Sequence, residues 1–158
     1  MPKLIAILLS SAMIALLATS GCGDSSSGTT KAEFVKEADA ACLKGNKEKT
    51  AALEAYLLKL GVGPEKLMTP KQSAFQWTGV ILPPIQKMTK QVDELQPPEG
   101  EEQKIASIVR AAERGISVAT KEAKDLEKKG SPGKFNDPFE RVAGLSSDYG
   151  FKVCYINY

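Results

Sequence analysis

This chain offers few groups for chemistry. It carries three cysteines, Cys22, Cys42 and Cys154, and no histidine. Without histidine, Ser-His-Asp and Cys-His nucleophile sites are excluded, as are histidine zinc sites and histidine-ligated haem. Di-iron bundles built on Glu-x-x-His pairs are excluded too. Carboxylates are plentiful: Glu37 and Asp39, Asp93 and Glu94, Glu101 and Glu102, Asp125 and Glu127. An acid–base pair needs two carboxyls facing one substrate in different environments, and neighbours one or two apart on a helix diverge. These residues read as solvated faces. Asp39 stands apart, set among Ala38, Ala40 and Ala41 just before Cys42. It is placed to cap a returning tail or hold Lys152, ahead of a ligand-binding or plain surface role. Gly61-Val62-Gly63 is too short for a dinucleotide fingerprint, and Gly130-Ser131-Pro132-Gly133-Lys134 lacks P-loop spacing. No cofactor or metal is expected.

Cys22 gains its meaning from what precedes it. Lys3 gives a charged start, Leu4 to Leu17 is apolar apart from Ser10 and Ser11, and small residues follow. That is the layout of a secretory signal peptide. The apolar run is shorter than the roughly 20 residues a spanning helix needs. Thr19-Ser20-Gly21-Cys22 resembles the lipobox of bacterial lipoproteins, with Thr19 where an aliphatic residue is usual. The resemblance implies a diacylglycerol thioether on Cys22 and cleavage before it. The expected organisation is a signal peptide over 1–21, a lipidated cysteine and tether over 22–30, and a folded domain over 31–158. Gly23 to Thr30 is polar and flexible in composition, with a reach of about 15 Å. The expected location is extracytoplasmic, with the membrane as partner through the N-terminal lipid.

With Cys22 assigned to lipid, Cys42 and Cys154 remain as an even pair in an oxidising compartment, which favours a disulfide over two separately buried thiols. Lysine and arginine number 21 against 19 acidic residues. That near balance gives no basic excess for nucleic acid. Lys121, Lys124, Lys128 and Lys129 are diluted by Glu122, Asp125 and Glu127 and read as a solvated helix end.

Periodicity predicts an all-α antiparallel bundle of about four helices. The first runs from Thr30 or Lys31 to about Leu60, with Thr30 and Glu33 at capping-box spacing. Its inner face is Phe34, Ala38, Ala41, Cys42, Gly45, Ala52, Leu53, Tyr56, Leu57 and Leu60. The second starts at Thr69-Pro70, turns Phe75, Gly79, Leu82, Ile85, Met88, Val92 and Leu95 inward, and is kinked or split at Pro83-Pro84 because interior proline breaks the hydrogen-bond ladder. The third, about Glu99 to Lys129, has a seam of Ile105, Val109, Ala112, Ile116, Ala119, Ala123 and Leu126. The fourth runs from Asp137-Pro138 to Tyr149 and stops at Gly150. If the tail folds back, Cys154 reaches Cys42 on the first helix.

Phe34-Val35, Ala38-Asp39-Ala40-Ala41-Cys42 and Asn46, read with Tyr149-Gly150-Phe151-Lys152-Val153-Cys154, resemble small, largely uncharacterised α-helical lipoproteins of actinobacterial type. Those proteins carry an ADAxC first helix and a YGxxxC C-terminus after a lipobox. The resemblance covers both ends of the mature chain. It implies the anchor, the helical fold and the cysteine pairing, and it brings no activity. Tyr155 to Tyr158 extend past the usual end, with no role assigned.

Aromatics gather late, at Phe135, Phe139, Tyr149, Phe151, Tyr155 and Tyr158. Such residues more often close the end of a core than line a site. As a ligand or partner surface, Trp77, Phe135, Phe139, Tyr149 and Phe151 are the candidates, with a cavity beside the proline kink as the deciding feature. The leading expectation is a non-enzymatic structural or interaction module of the envelope. The alternatives are a lipoprotein that binds a small apolar ligand or lipid and, last, an envelope enzyme.

Overall fold

The computed structural model describes residues 28–62, 66–131 and 137–155. The leader, Cys22 and Phe135 lie outside the described residues. Helix α1 spans Lys31–Leu60. Thr30 Oγ1 accepts from the Glu33 N–H at 3.3 Å while Glu33 Oε2 accepts from the Thr30 N–H at 2.9 Å. This reciprocal box satisfies donors that a bare helix start leaves unmatched. At the other end the Lys66 ammonium donates to the Leu60 carbonyl at 2.6 Å.

The second rod is continuous from Thr69 onward. It consists of α2, Pro70–Phe75, a π-helical stretch, Gln76–Ile81, and α3, Leu82–Asp93. The chain passes through Pro83 and Pro84 as helix, and the irregularity lies just upstream of them. Proline cannot donate to the carbonyl four residues back, and its ring crowds that carbonyl. The wider turn accommodates this: the Leu82 N–H reaches back five residues to the Trp77 carbonyl. One extra residue in a turn shifts the face of everything before it. Ala74 and Val80 are therefore buried, whereas Phe75 is 54% exposed, which corrects the inward placement of Phe75 and Gly79.

Helix α4 is Glu102–Lys129 and α5 is Glu140–Tyr149. Both begin about three residues later than their sequence signals. Gly100 at φ 77° forms a turn before α4. Asp137 Oδ1 accepts from the Phe139 N–H at 2.8 Å, so Asp137-Pro138 belongs to a turn rather than to the helix. Paired positions show that the rods alternate in direction. Along α1, Gly45, Glu48 and Tyr56 meet Met88, Lys87 and Gln72 in falling order. Along α4, Ile108 lies by Leu145 while Gly115 meets Pro138.

The core joins Phe34, Ala38 and Cys42 of α1 to Leu82, Ile85, Met88 and Val92 of α3, and to Ile105, Ile108 and Ala112 of α4. The α4 seam is broader than a single stripe: Ile108, Ala111 and Gly115 are buried beside Val109 and Ala112, because α4 packs against both α3 and α5. All described core residues lie between Phe34 and Tyr155, so a chain starting at Gly28 retains the whole described core.

The tail closes the bundle. Cys42 and Cys154 form a disulfide across 112 residues, with their Cα atoms 5.1 Å apart. Asp39 Oδ2 accepts from the Lys152 N–H at 2.8 Å, and Oδ1 accepts from the Val153 and Cys154 N–H groups at 2.9 and 3.1 Å. Tyr155 then enters the core, 1% exposed, and donates to Thr89 Oγ1 at 2.9 Å. Burial pushes its phenol up to about 12. Tyr155, one of the late aromatics expected to close the end of the core, is a large, fully buried core residue. Among the described residues, no helix is long and apolar enough to cross a membrane.

Candidate functional site

Three segments converge on a cleft of about 370 Å³. Helix α1 supplies Lys49 and Leu53, the π-helical stretch supplies Trp77 and Ile81, and the turn before α5 supplies Asp137, Pro138 and Phe139. The local sequence explains each wall. The two prolines force the wide turn that offers Trp77 and Ile81 on one side. Opposite them, the α5 turn lies close against α4 because Gly115 lacks a side chain. A Cβ there would stand 2.6 Å from the Pro138 carbonyl oxygen and 2.8 Å from the Phe139 ring. Phe139 is 1% exposed and serves both core and cleft. The lining is mainly apolar, with one cation and one carboxylate. Lys49 is half-buried, and desolvation holds its ammonium below the usual lysine range.

A second groove, about 500 Å³, lies at the other end of α5, where Lys31, Lys104 and Asp148 surround a floor of Ile108, Leu145 and Tyr149. The Lys31 ammonium sits 4.4 Å from the Tyr149 ring centre, a cation–π arrangement. Burial first, and then the Glu101 carboxylate, raise the Tyr149 phenol. Glu101 is lowered in turn, by Lys104 at 2.7 Å and then by Tyr149. The charges offset one another, but Tyr149 Oη, Glu101 Oε2 and Ser146 Oγ are buried there without a hydrogen-bond partner among the described residues.

The structure therefore divides the candidate aromatic residues. Trp77 and Phe139 come together at the cleft. Tyr149 and Phe151 instead form a cluster with Phe34, with ring centres 5.2 to 6.2 Å apart, and are buried rather than displayed as a surface. Leu53, Ile81 and Lys49 were missed as site residues. Leu53 was legible as a core position, but its neighbours across the cleft depend on the π-turn register. Among the described residues, no group of three His, Cys, Asp or Glu side chains converges as a metal site.

Together these features define a disulfide-closed, antiparallel helical bundle with an apolar cleft at its π-helical turn. Compared with protein-family models, curated proteins and solved structures, the chain matches none.

Proposed function

We propose that this protein is a lipid-anchored, extracytoplasmic binding module of the cell envelope, non-enzymatic, whose cleft takes a small apolar molecule or an acyl chain. The anchor rests on the leader and the small residues before Cys22. A disulfide accords with an exported chain. The absence of histidine weighs against most hydrolytic and metal-dependent chemistry.

The observation that carries the binding reading is the Trp77 cleft. Its volume falls within the range of small-molecule sites, and its walls are apolar with a few polar groups at fixed positions. Leu53, Ile81 and Trp77 supply the contact area.

Native mass spectrometry of the detergent-extracted full-length protein tests anchor and ligand together. The expected spectrum shows the lipid on Cys22 and a stoichiometric small molecule that Ile81→Trp removes. A lipidated protein free of ligand would leave a scaffold role in place of binding. Trp77 is the single tryptophan, so its emission reports directly on the cleft. Titration with a medium-chain fatty acid should shift it saturably in the wild type and not in Ile81→Trp/Trp77→Phe, the control for non-specific change.

A further inference from the structure

Five large apolar side chains are exposed on the described surface, and three of them lie at one end of the bundle: Leu58 and Leu67, each 84% exposed, and Phe75, 54% exposed. Leu58 is in the last turn of α1, Leu67 is in the connection that follows, and Phe75 ends α2. Exposed apolar side chains gathered toward one end of a bundle are a candidate contact surface. The connection is held in this position. Lys66 donates to the Leu60 carbonyl, tying it back onto α1 beside Leu67. The Tyr56 hydroxyl donates to the Gln72 carbonyl at 2.9 Å, and its ring lies 5.6 Å from that of Phe75.

The same end is rich in cations. Lys59 and Lys71 are exposed there, and among the described residues neither forms an ion pair. Helix α4 runs antiparallel to the second rod: Val109, Glu113 and Ile116 share one groove with Gln86, Thr89 and Asp93, and α4 packs against α2 as well as α3. Continuing that register brings its C-terminus, with Lys128 and Lys129, to the α2 end. Of the nearby acids, Asp125 is engaged by Lys129 at 3.6 Å, while Glu127 and Glu54 remain. With Glu65 of the connection counted as well, five lysines (Lys59, Lys66, Lys71, Lys128 and Lys129) stand against four acids near the apolar tip.

We infer that this tip docks onto an anionic lipid surface, with Leu58 and Leu67 entering the interface and Lys59, Lys71 and Lys128 meeting the head groups. Apolar side chains ringed by lysine are what an interfacial contact of this kind requires: apolar burial supplies the depth, and the charge supplies the preference for anionic lipid. The tip stands at the opposite end of α1 from the tether, about 45 Å away at 1.5 Å per residue. The contact is therefore separate from any lipid on Cys22. It is independent of the Trp77 cleft as well.

Co-sedimentation with vesicles tests this. The chain from Gly28 to Tyr158, which has no lipid, is mixed with phosphatidylcholine vesicles made with and without phosphatidylglycerol. Binding should appear only with the anionic lipid and weaken as salt rises. Leu58→Ser/Leu67→Ser should reduce it by roughly ten-fold or more, as loss of buried leucine implies, and Lys59→Glu/Lys71→Glu should abolish it. These positions are exposed, so circular dichroism and melting should match the wild type. No binding to either vesicle would overturn the inference. So would binding that survives the leucine substitutions, which would be charge attraction alone. Self-association without vesicles that the leucine pair abolishes would make the tip an interface between copies and likewise overturn it.

Discussion

Asp39 holds the C-terminal tail through its carboxylate. The described tail, Phe151 to Tyr155, makes no helix, so its N–H groups need acceptors from elsewhere. Asp39 serves three of them, from Lys152, Val153 and Cys154. Hydrogen bonds to a charged acceptor are the stronger kind. Asp39→Ala should therefore lower stability by about 2–4 kcal/mol, and Asp39→Asn, which keeps one acceptor oxygen, by less. Urea unfolding of the oxidised protein measures both. Equal midpoints for wild type and Asp39→Ala would mean that the disulfide alone holds the tail. This residue was legible, because a lone carboxylate on an alanine-rich face one turn before a cysteine has few other uses. The seating of Tyr155 was not. A residue so near a chain end is ordinarily frayed, and only the adjacent Cys154 hints that it is tied down. Its φ of 59° turns the ring into the core toward Thr89, a backbone choice that nothing in the side-chain pattern encodes.

At the scale of elements, legibility followed hydrogen bonding. The start of α1 at Thr30 and the stop of α5 at Gly150 match their sequence signals, and α1 and α4 end at the left-handed glycines Gly61 and Gly130, because caps are local chemistry. The Pro83-Pro84 irregularity was foreseen, but its form was not. A kink leaves the face pattern intact, whereas a π-turn displaces it by a residue and puts Phe75 outside. The cleft depends on that displacement, so the placement of Trp77 and Ile81, two of its seven lining residues, could not be read from spacing. Its other wall depends on Gly115, a glycine inside a strongly periodic helix. Two substitutions separate the two effects. Gly79→Ala would set a Cβ 2.6 Å from the Phe75 ring, which is exposed and free to swing away. Helix propensity gains up to about 1 kcal/mol there, so the change should be near neutral. Gly115→Ala meets backbone, the Pro138 carbonyl, and should destabilise by about 1–3 kcal/mol through overpacking. It should also shift Trp77 emission as the α5 turn moves outward. A Gly115→Ala protein with wild-type stability and emission would show that the turn is not seated as described.

For the whole molecule, the governing fact is that first helix and last residues are joined. Cysteine arithmetic made the pairing legible: with Cys22 set aside as the expected lipid site, Cys42 and Cys154 remained as an even pair. The position of the bridge was legible only from Cys42 lying on the same face as Phe34 and Ala38. What spacing could not give is its environment: both sulfurs are fully buried, and Asp39 holds the same tail from one turn away. Two restraints on one segment should be non-additive. A bridge closing 112 residues contributes about 4–5 kcal/mol in the chain-entropy model. Cys42→Ala/Cys154→Ala should therefore lower the melting temperature by about 10 °C or more while leaving far-ultraviolet helicity unchanged at low temperature, because Asp39 and Tyr155 keep the tail seated. Adding Asp39→Ala to that variant should cost more than it does in the oxidised protein, where the bridge already confines the tail. Hydrogen exchange at the amides of residues 152, 153 and 154 reads this directly: slow when only the disulfide is lost, and fast wherever Asp39 is replaced, because its carboxylate is their acceptor. Fast exchange at these amides after loss of the disulfide alone would mean that the bridge, and not the carboxylate, determines where the chain ends.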